Sequence, residues 1–202
     1  TFGDISCFSF YGNKVITTGE GGMSLTDDLK LNQKMRMLED IHYATKKTKA
    51  KDRFHTEFIG YNYRMTNIEA AIGVAQTKRI DGLVSKKREI AHYYNELLKD
   101  IEDVITPPEM PWAKNVYWYY SILVDKEKRD KLMDGLGRKG IETRPFFYPL
   151  HKLKMHKTNG KSQILPVAED LYQRGINLPS SPRLSKKQIE YVCSSIRQIL
   201  VR

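Results

Sequence analysis

One lysine in a glycine-rich turn is the residue of this sequence best suited to covalent chemistry. Lys14 follows Gly12 and Asn13, and the stretch Thr-Thr-Gly-Glu-Gly-Gly occupies residues 17–22. Apolar and small side chains alternate on either side, which predicts two short strands around an exposed loop. A lysine held between strands and partly desolvated has a lowered pKa and can form a Schiff base with an aldehyde. The alternative is a solvated loop lysine, a common residue in a chain with 34 Lys and Arg residues.

The glycines after Lys14 suit a loop whose backbone approaches another group closely. Gly19, Gly21 and Gly22 have no Cβ, so a bound group or a neighbouring subunit can come near the main chain. The spacing is not that of a phosphate-binding P-loop, because no G-x-x-x-x-G-K-[ST] pattern occurs, and it is not a dinucleotide fingerprint.

Two further segments concentrate polar and aromatic side chains. Residues 60–67 include Asn62 and Arg64, and residues 142–151 include Tyr148 and His151. The first segment leads into a capping box, in which Thr66 precedes Glu69 by three residues, so a helix is predicted to begin there.

The remaining pattern mixes strands and helices along the chain. Strands are predicted at residues 118–124 and 141–147. Helices are predicted to begin at Thr26 or Asp27, at Asp125, and at the second capping box formed by Ser185 and Gln188. Gly82 is a predicted bend where one domain gives way to the next. We therefore expect an α/β part over residues 1–82 and a smaller α+β part over residues 83–202.

The three polar segments together resemble the signatures of one enzyme family, in the same order. They read Phe8-Ser9-Phe10-Tyr11-Gly12-Asn13-Lys14 with the glycine loop, Gly60-Tyr61-Asn62-Tyr63-Arg64-Met65-Thr66-Asn67, and Glu142-Thr143-Arg144-Pro145-Phe146-Phe147-Tyr148-Pro149-Leu150-His151. These segments are similar to those of the DegT/DnrJ/EryC1/StrS family of pyridoxal 5'-phosphate (PLP) aminotransferases. The resemblance implies a fold-type-I, aspartate-aminotransferase-like PLP transferase: the end of its large α/β domain followed by its small α+β domain.

The resemblance assigns roles only to matching positions. It implies that Lys14 binds PLP covalently and carries the proton during amino transfer. Ser9 would hydrogen-bond the PLP phosphate, and Asn62 would reach the phosphate from the other subunit. A homodimer with a shared active site is therefore expected.

Three further residues are assigned to the substrates by the same resemblance. Arg64 would lie near the sugar nucleotide or the carboxylate of the amino donor, and the alternative is an arginine paired with a surface carboxylate. Tyr148 and His151 would line the substrate pocket, and the alternative is an aromatic turn held by prolines at a domain edge.

The implied reaction transfers an amino group, from glutamate, to the C4 keto group of a nucleotide-linked 4-keto-6-deoxy sugar. His55-Thr56 and Pro111-Trp112-Ala113-Lys114 are most similar to family members that act on GDP-4-keto-6-deoxy-mannose. Members of the family are longer than this chain, and their N-terminal part supplies the phosphate loop, the aromatic residue that stacks on PLP and the aspartate at its ring nitrogen. The chain is thus expected to be a C-terminal half, and the alternative function is an incomplete or non-catalytic half that needs an N-terminal partner polypeptide.

Composition excludes several other classes. With 202 residues, 40% of them hydrophobic, the chain can build a core, and it has neither a run of about 20 apolar residues nor a signal-peptide pattern. Cys7 and Cys193 lie in apolar stretches at opposite ends, which predicts reduced thiols in the cytoplasm and excludes a zinc site built on cysteine spacing.

The net charge of +10 leaves a nucleic-acid-binding module as a further alternative. Basic clusters such as Lys86-Lys87-Arg88 would form its contact surface. This alternative is disfavoured, because no helix-turn-helix, zinc finger or RNA-binding signature accompanies the charge.

Overall fold

The structure is a computed structural model that describes residues 3–40, 59–156 and 163–201. The chain divides into two compact units, Thr1–Asp81 and Gly82–Arg202. The identification of these parts as the end of a large PLP-binding domain and a small α+β domain stays a prediction. His55 and Thr56 lie outside the described residues.

A two-stranded sheet opens the first unit. Strand β1 (Ser6–Ser9) pairs antiparallel with β2 (Gly22–Leu25), so that Ser9 lies opposite Gly22. This pairing confirms the prediction of two short strands around the glycine-bearing loop. Cys7 of β1 is exposed, contrary to the expectation of an apolar environment. The residues of β1 and β2 are almost all exposed, so this two-stranded sheet does not bury the thiol.

Two helices complete the described part of this unit. Helix α1 (Leu29–Glu39) begins at Asp28, whose carboxylate accepts from the N–H groups of Lys30 and Leu31, so the prediction of Thr26 or Asp27 as the cap is wrong. Helix α2 (Asn67–Thr77) begins at Thr66 with both hydrogen bonds of the predicted capping box. Within α1 and α2, both fully described, no residue is buried.

A three-stranded antiparallel sheet forms the centre of the second unit. Strand β5 (Gly175–Leu178) lies between β3 (Tyr120–Leu123) and β4 (Arg144–Pro145), with Tyr120 opposite Leu178 and Arg144 opposite Asn177. All four residues of β5 are buried, as a central strand requires. The strand predicted at residues 141–147 is reduced to two residues, because Pro145 has no N–H to donate to a ladder.

The helices of this unit are α3 (Ile80–Leu98), α4 (Lys126–Arg138), α5 (Pro166–Arg174) and α6 (Lys186–Leu200), with short 3-10 turns at Leu150–Lys152 and Lys154–His156. Helix α6 begins with the predicted capping box at Ser185. Helix α3 continues through Gly82, and the chain turns instead at residues 78–79, so the predicted bend is wrong. A single glycine lowers helix stability without ending a helix.

The core of the second unit joins these helices to the sheet. The rings of Tyr94 and Tyr120 stack with centroids 4.5 Å apart, and their hydroxyls bond the carbonyl of Pro179 and the side chain of Asn95. Buried tyrosines need such partners for their polar ends. The other fully buried large side chains are Leu98, Ile122, Val124, Leu132, Leu136, Ile176, Ile189 and Ile196.

Helix α3 also carries a buried cation. Lys87 is 6% exposed, and its Nζ donates to the carbonyls of Trp118 and Ser180 and to the hydroxyl of Ser180. Burial lowers the pKa of Lys87 to about 8.

Among the described helices, none combines the length and the apolar character needed to cross a membrane.

Candidate functional site

Hydrogen bonds in the turn after β1 connect Lys14 to Ser9 through Tyr11. The N–H of Lys14 donates to the carbonyl of Tyr11 at 2.9 Å, and the N–H of Tyr11 donates to Ser9 Oγ at 3.3 Å. Ser9 is exposed and Lys14 is half-buried. Because the Ser9 hydroxyl accepts from the backbone, its own hydrogen can still be donated to a ligand.

The glycine loop is held together by its own hydrogen bonds. Phe10 is the centre of this network: its N–H donates to the Gly21 carbonyl at 2.9 Å, and its carbonyl accepts from Thr18 N at 3.0 Å and Thr17 Oγ1 at 2.8 Å. Thr17 Oγ1 in turn accepts from the N–H of Gly19 at 2.9 Å. Thr18 is 5% exposed, so the loop has a buried anchor beside the lysine turn.

Close packing at Gly21 joins the first sequence motif to the second. Gly21 has φ +130°, and a Cβ there would lie 2.7 Å from Met65 Cε and 2.9 Å from Thr18 Oγ1. A Cβ at Gly73 of α2 would lie 3.1 Å from Thr18 Cγ2. The loop after Lys14 therefore packs closely on Met65 and on Gly73 of α2, and a side chain at either glycine position would crowd these contacts.

The backbone of the segment that carries Asn62 is hydrogen-bonded to the C-terminal end of α1. The N–H groups of Tyr61 and Tyr63 donate to the carbonyls of Leu38 and Glu39 at 2.8 and 2.9 Å, and Asp40 forms an antiparallel bridge with Asn62. The last carbonyls of a helix have no partner within the helix, so this segment satisfies them.

Alternation along this segment separates its aromatic and polar side chains. The rings of Tyr61 and Tyr63 stack with centroids 4.8 Å apart and planes 4° from parallel. In an extended segment the side chain of Asn62 then points to the opposite face, and Arg64 falls on the same face as Asn62. Asn62 and Arg64 are both joined to Asp40, Asn62 through the backbone bridge and Arg64 through its side chain.

Arg64 forms an ion pair with Asp40. Its Nη1 lies 3.1 Å from Asp40 Oδ2, and the Arg64 side chain stays 72% exposed while that of Asp40 is 13% exposed. The sequence analysis gave pairing with a carboxylate as the alternative role of Arg64, and this pairing is present in the structure. Because the arginine stays exposed and has five N–H donors, the pairing leaves it able to contact a further anion.

The third motif lies in the second unit. The Tyr148 ring meets that of Tyr172 edge to face, with centroids 5.2 Å apart. His151 is buried, and its Nε2 lies 3.1 Å from Glu169 Oε1. The described geometry thus groups the predicted site residues into two sets, one in each unit.

Hydrogen bonds from neighbouring side chains stabilise the ionised carboxylate of Glu169. Lys152 Nζ lies 2.6 Å from its Oε2, and hydrogen bonds from Lys152 and His151 lower the pKa of Glu169 to about 2. The carboxylate therefore accepts hydrogen bonds at any pH near neutrality.

Sequence reasoning missed Asp40, Glu169 and Tyr172. Their partners lie far away in the chain, and no local pattern connects them. Helix α5, which carries Glu169 and Tyr172, had one detectable signal: Pro166 occupies its first turn, a position that proline favours.

The residues of the first unit fit the chemistry of PLP. An aldehyde needs a primary amine that is not fully solvated, which the half-buried Lys14 provides. A phosphate needs hydrogen-bond donors, which the Ser9 hydroxyl and the Asn62 amide provide.

Comparison with known proteins finds a matching family model and related sequences. A model of the DegT/DnrJ/EryC1/StrS aminotransferase family matches residues 1–197. The GDP-perosamine synthase of Escherichia coli O157:H7 is 46% identical over 199 residues, which are 98% of this chain and 52% of that protein. The GDP-perosamine synthase of Vibrio cholerae is 40% identical over 201 residues, 98% of this chain and 53% of that protein.

A solved structure gives the same result for the fold. The aminotransferase TlmJ from Streptoalloteichus hindustanus superposes with a TM-score of 0.89 at 28% identity, covering 100% of this chain and 53% of that one. The predicted fold class, α/β of the fold-type-I PLP aminotransferases, is confirmed. This chain spans about half the length of the curated relatives that it matches.

Proposed function

We propose, because the chain belongs to the DegT/DnrJ/EryC1/StrS aminotransferase family, that it contributes the covalent lysine and part of the substrate site of a PLP-dependent sugar-nucleotide aminotransferase. The observation that carries the proposal is the half-buried Lys14 in a turn bonded to Ser9 and backed by the glycine loop. The site is shared between two subunits of a homodimer, with Asn62 contributed by the partner subunit.

The substrate we propose is GDP-4-keto-6-deoxy-mannose. Two relatives that match nearly the whole chain carry the name GDP-perosamine synthase, and the identities of 46% and 40% support the same sugar nucleotide here. The C4 keto group receives an amino group from glutamate, which leaves as 2-oxoglutarate. A role in O-antigen or other polysaccharide biosynthesis and a cytoplasmic location stay predictions.

The residues then divide the binding and proton-transfer tasks among them. When bound, PLP would supply the electron sink for the reaction. Lys14 holds the cofactor covalently and moves a proton at the carbon that gains or loses the amino group. Ser9 donates to the phosphate from one subunit, and Asn62 donates from the other. Arg64, paired with Asp40, attracts the diphosphate or the glutamate carboxylate.

The decisive experiment uses a fusion enzyme, in which the N-terminal half of the Escherichia coli O157:H7 GDP-perosamine synthase is joined to the start of this chain. We expect it to convert GDP-4-keto-6-deoxy-mannose with glutamate, and Lys14→Ala to abolish turnover while the circular dichroism spectrum stays unchanged. The matched control is Lys30→Ala, which removes an exposed lysine of α1. Turnover retained in Lys14→Ala would disprove the assignment of this lysine.

A second experiment uses the 202-residue chain alone. PLP is titrated by absorbance, the adduct is reduced with borohydride, and the labelled peptides are mapped. A label on Lys14 alone means that the lysine turn is formed without further segments. A label scattered over surface lysines supports the second candidate function, an incomplete half.

That second candidate has one observation in its favour, the coverage of about half of each relative. It predicts that PLP binding requires an added polypeptide that corresponds to the remaining half. Mixing the chain with the separately expressed N-terminal half of the relative, and measuring PLP absorbance before and after, distinguishes the two. The family match gives no support to the nucleic-acid-binding alternative.

A further inference from the structure

One face of α5 contacts Tyr148 and His151, the two candidate site residues of the third motif. Glu169 and Tyr172 are three positions apart on this helix and so lie on the same side of it. Glu169 Oε1 lies 3.1 Å from His151 Nε2, and the Tyr172 ring meets Tyr148 edge to face. A helix without an assigned function thus holds the two side chains that the family resemblance places at the substrate.

The contact with Glu169 determines where His151 carries its proton. An ionised carboxylate can only accept hydrogen bonds, and Glu169 is ionised because hydrogen bonds from Lys152 and His151 stabilise its charge. The Nε2 atom of His151 must therefore donate. In the neutral imidazole the other nitrogen, Nδ1, then keeps its lone pair and acts as an acceptor.

The contact with Tyr172 limits the orientation of Tyr148. The Tyr172 ring is half-buried, and the guanidinium carbon of Arg129 in α4 lies 5.8 Å from its centroid. The described contacts of the ring thus include a cation and the edge-to-face pair with the exposed Tyr148.

We propose that Glu169 and Tyr172 are positioning residues of the sugar-nucleotide site. Glu169 selects the Nε2-protonated tautomer of His151, so that Nδ1 accepts a hydrogen bond from a sugar hydroxyl, and Tyr172 holds the ring of Tyr148 in place. The inference rests on the proposed function, because that function assigns His151 and Tyr148 to the substrate.

The first test is spectroscopic and does not depend on activity. In the 202-residue chain, the ¹⁵N shifts of the His151 imidazole, assigned by comparison with His151→Gln, report which nitrogen is protonated. We expect the Nε2-protonated form in the parent, in Glu169→Gln and in the control Asp170→Asn, which alters only the neighbouring pair with Arg174. We expect Glu169→Ala to add a measurable Nδ1-protonated fraction. An unchanged tautomer in Glu169→Ala overturns the proposal.

The second test is kinetic and uses the fusion enzyme. Loss of one hydrogen bond to the substrate is expected to raise KM for the sugar nucleotide about five- to tenfold in Glu169→Ala, with kcat and the KM for glutamate nearly unchanged. Glu169→Gln restores most of the parent KM, because its amide oxygen still accepts from Nε2. Tyr172→Phe keeps the ring contact and the parent KM, whereas Tyr172→Ala raises KM.

The two tests separate this inference from the function on which it rests. A fusion enzyme that is active, but whose KM for the sugar nucleotide is unchanged in both alanine variants, overturns the positioning roles and leaves the function intact. A fusion enzyme without aminotransferase activity overturns the function and the sugar contact, whatever the tautomer result. If Glu169→Ala does not fold, the tautomer of His151 in the parent still tests Glu169, because an Nδ1-protonated parent overturns its role. The comparison of Tyr172→Phe with Tyr172→Ala then tests Tyr172.

Discussion

Lys87 shows how the second unit accommodates a charge in its interior. Its ammonium donates to uncharged oxygens of Trp118 and Ser180, which satisfy its hydrogens but do not cancel its charge. Burial therefore lowers the pKa of Lys87 to about 8, whereas an unfolded lysine keeps a pKa near its ordinary value of 10.5. Between these two values the unfolded chain binds a proton that the folded chain has lost.

Because the unfolded state binds more protons in that window, this lysine's contribution to stability must rise with pH above about 8. We predict that the free energy of unfolding of the parent, relative to Lys87→Met, increases by about 1 kcal/mol between pH 7 and pH 9. The measurement is urea unfolding followed by tryptophan fluorescence, because both tryptophans, Trp112 and Trp118, lie in the second unit. The control is Lys86→Met, which removes a half-buried neighbour paired with Glu89, and parallel pH profiles of parent and Lys87→Met would contradict the prediction.

Gly21 is the residue where the lysine loop and the Asn62 segment meet. We predict that Gly21→Ala weakens PLP binding by the fusion enzyme about tenfold, because the new Cβ clashes with Met65 Cε and the φ of +130° is strained for alanine. Met65→Ala in the same chain should recover part of the loss, because it removes the contact with Met65 Cε but neither the contact with Thr18 Oγ1 nor the backbone strain. Absorbance titration measures both. The control is Gly3→Ala, where a Cβ meets nothing within 4 Å.

At the scale of elements, the capping boxes are the best defined local structures. Ser185 Oγ accepts from the N–H of Gln188 at 3.3 Å, and Gln188 Oε1 accepts from the N–H of Ser185 at 2.9 Å. The helix that they begin buries Ile189, Val192 and Ile196 in the core. Its first turn is therefore coupled to the packing of the whole unit.

We predict that Ser185→Ala lowers the free energy of unfolding of the second unit by about 1 kcal/mol, because an N–H at the start of α6 loses its acceptor. Tryptophan fluorescence in a urea titration measures the change. Ser194→Ala is the matched control, since Ser194 is exposed within the same helix and alanine is favoured there. A loss of equal size in both variants would show that the cap contributes nothing specific.

At the scale of the whole molecule, the proposed shared site has a measurable consequence. If Lys14 acts with the Asn62 of the partner subunit, a dimer of one Lys14→Ala subunit and one Asn62→Ala subunit contains one site without either substitution. We predict that each variant of the fusion enzyme is inactive or nearly so, and that an equimolar mixture refolded together regains about a quarter of the parent activity.

The control for this complementation is each variant refolded alone at the same total concentration. Activity that stays at the level of the single variants after mixing would place Lys14 and Asn62 in the same subunit's site. Size-exclusion chromatography of the mixture shows whether mixed dimers have formed.

Local sequence determined a substantial part of this protein. Both capping boxes and the strand pair around the glycine loop could be predicted, because in each case the interacting residues are close neighbours in the chain. The family and the fold class could also be predicted, since three motifs in a fixed order carry that information whatever their spatial arrangement.

Tertiary structure alone decided the contacts that hold the candidate site. The Asp40–Arg64 pair, the Glu169–His151 hydrogen bond and the packing of Met65 on Gly21 join residues that are distant in sequence, so no local propensity encodes them. The missed strand β5 has the same explanation: its four residues form a strand because they are buried between β3 and β4. Side-chain partners and central strands are products of packing, whereas caps and turns are complete within a few residues.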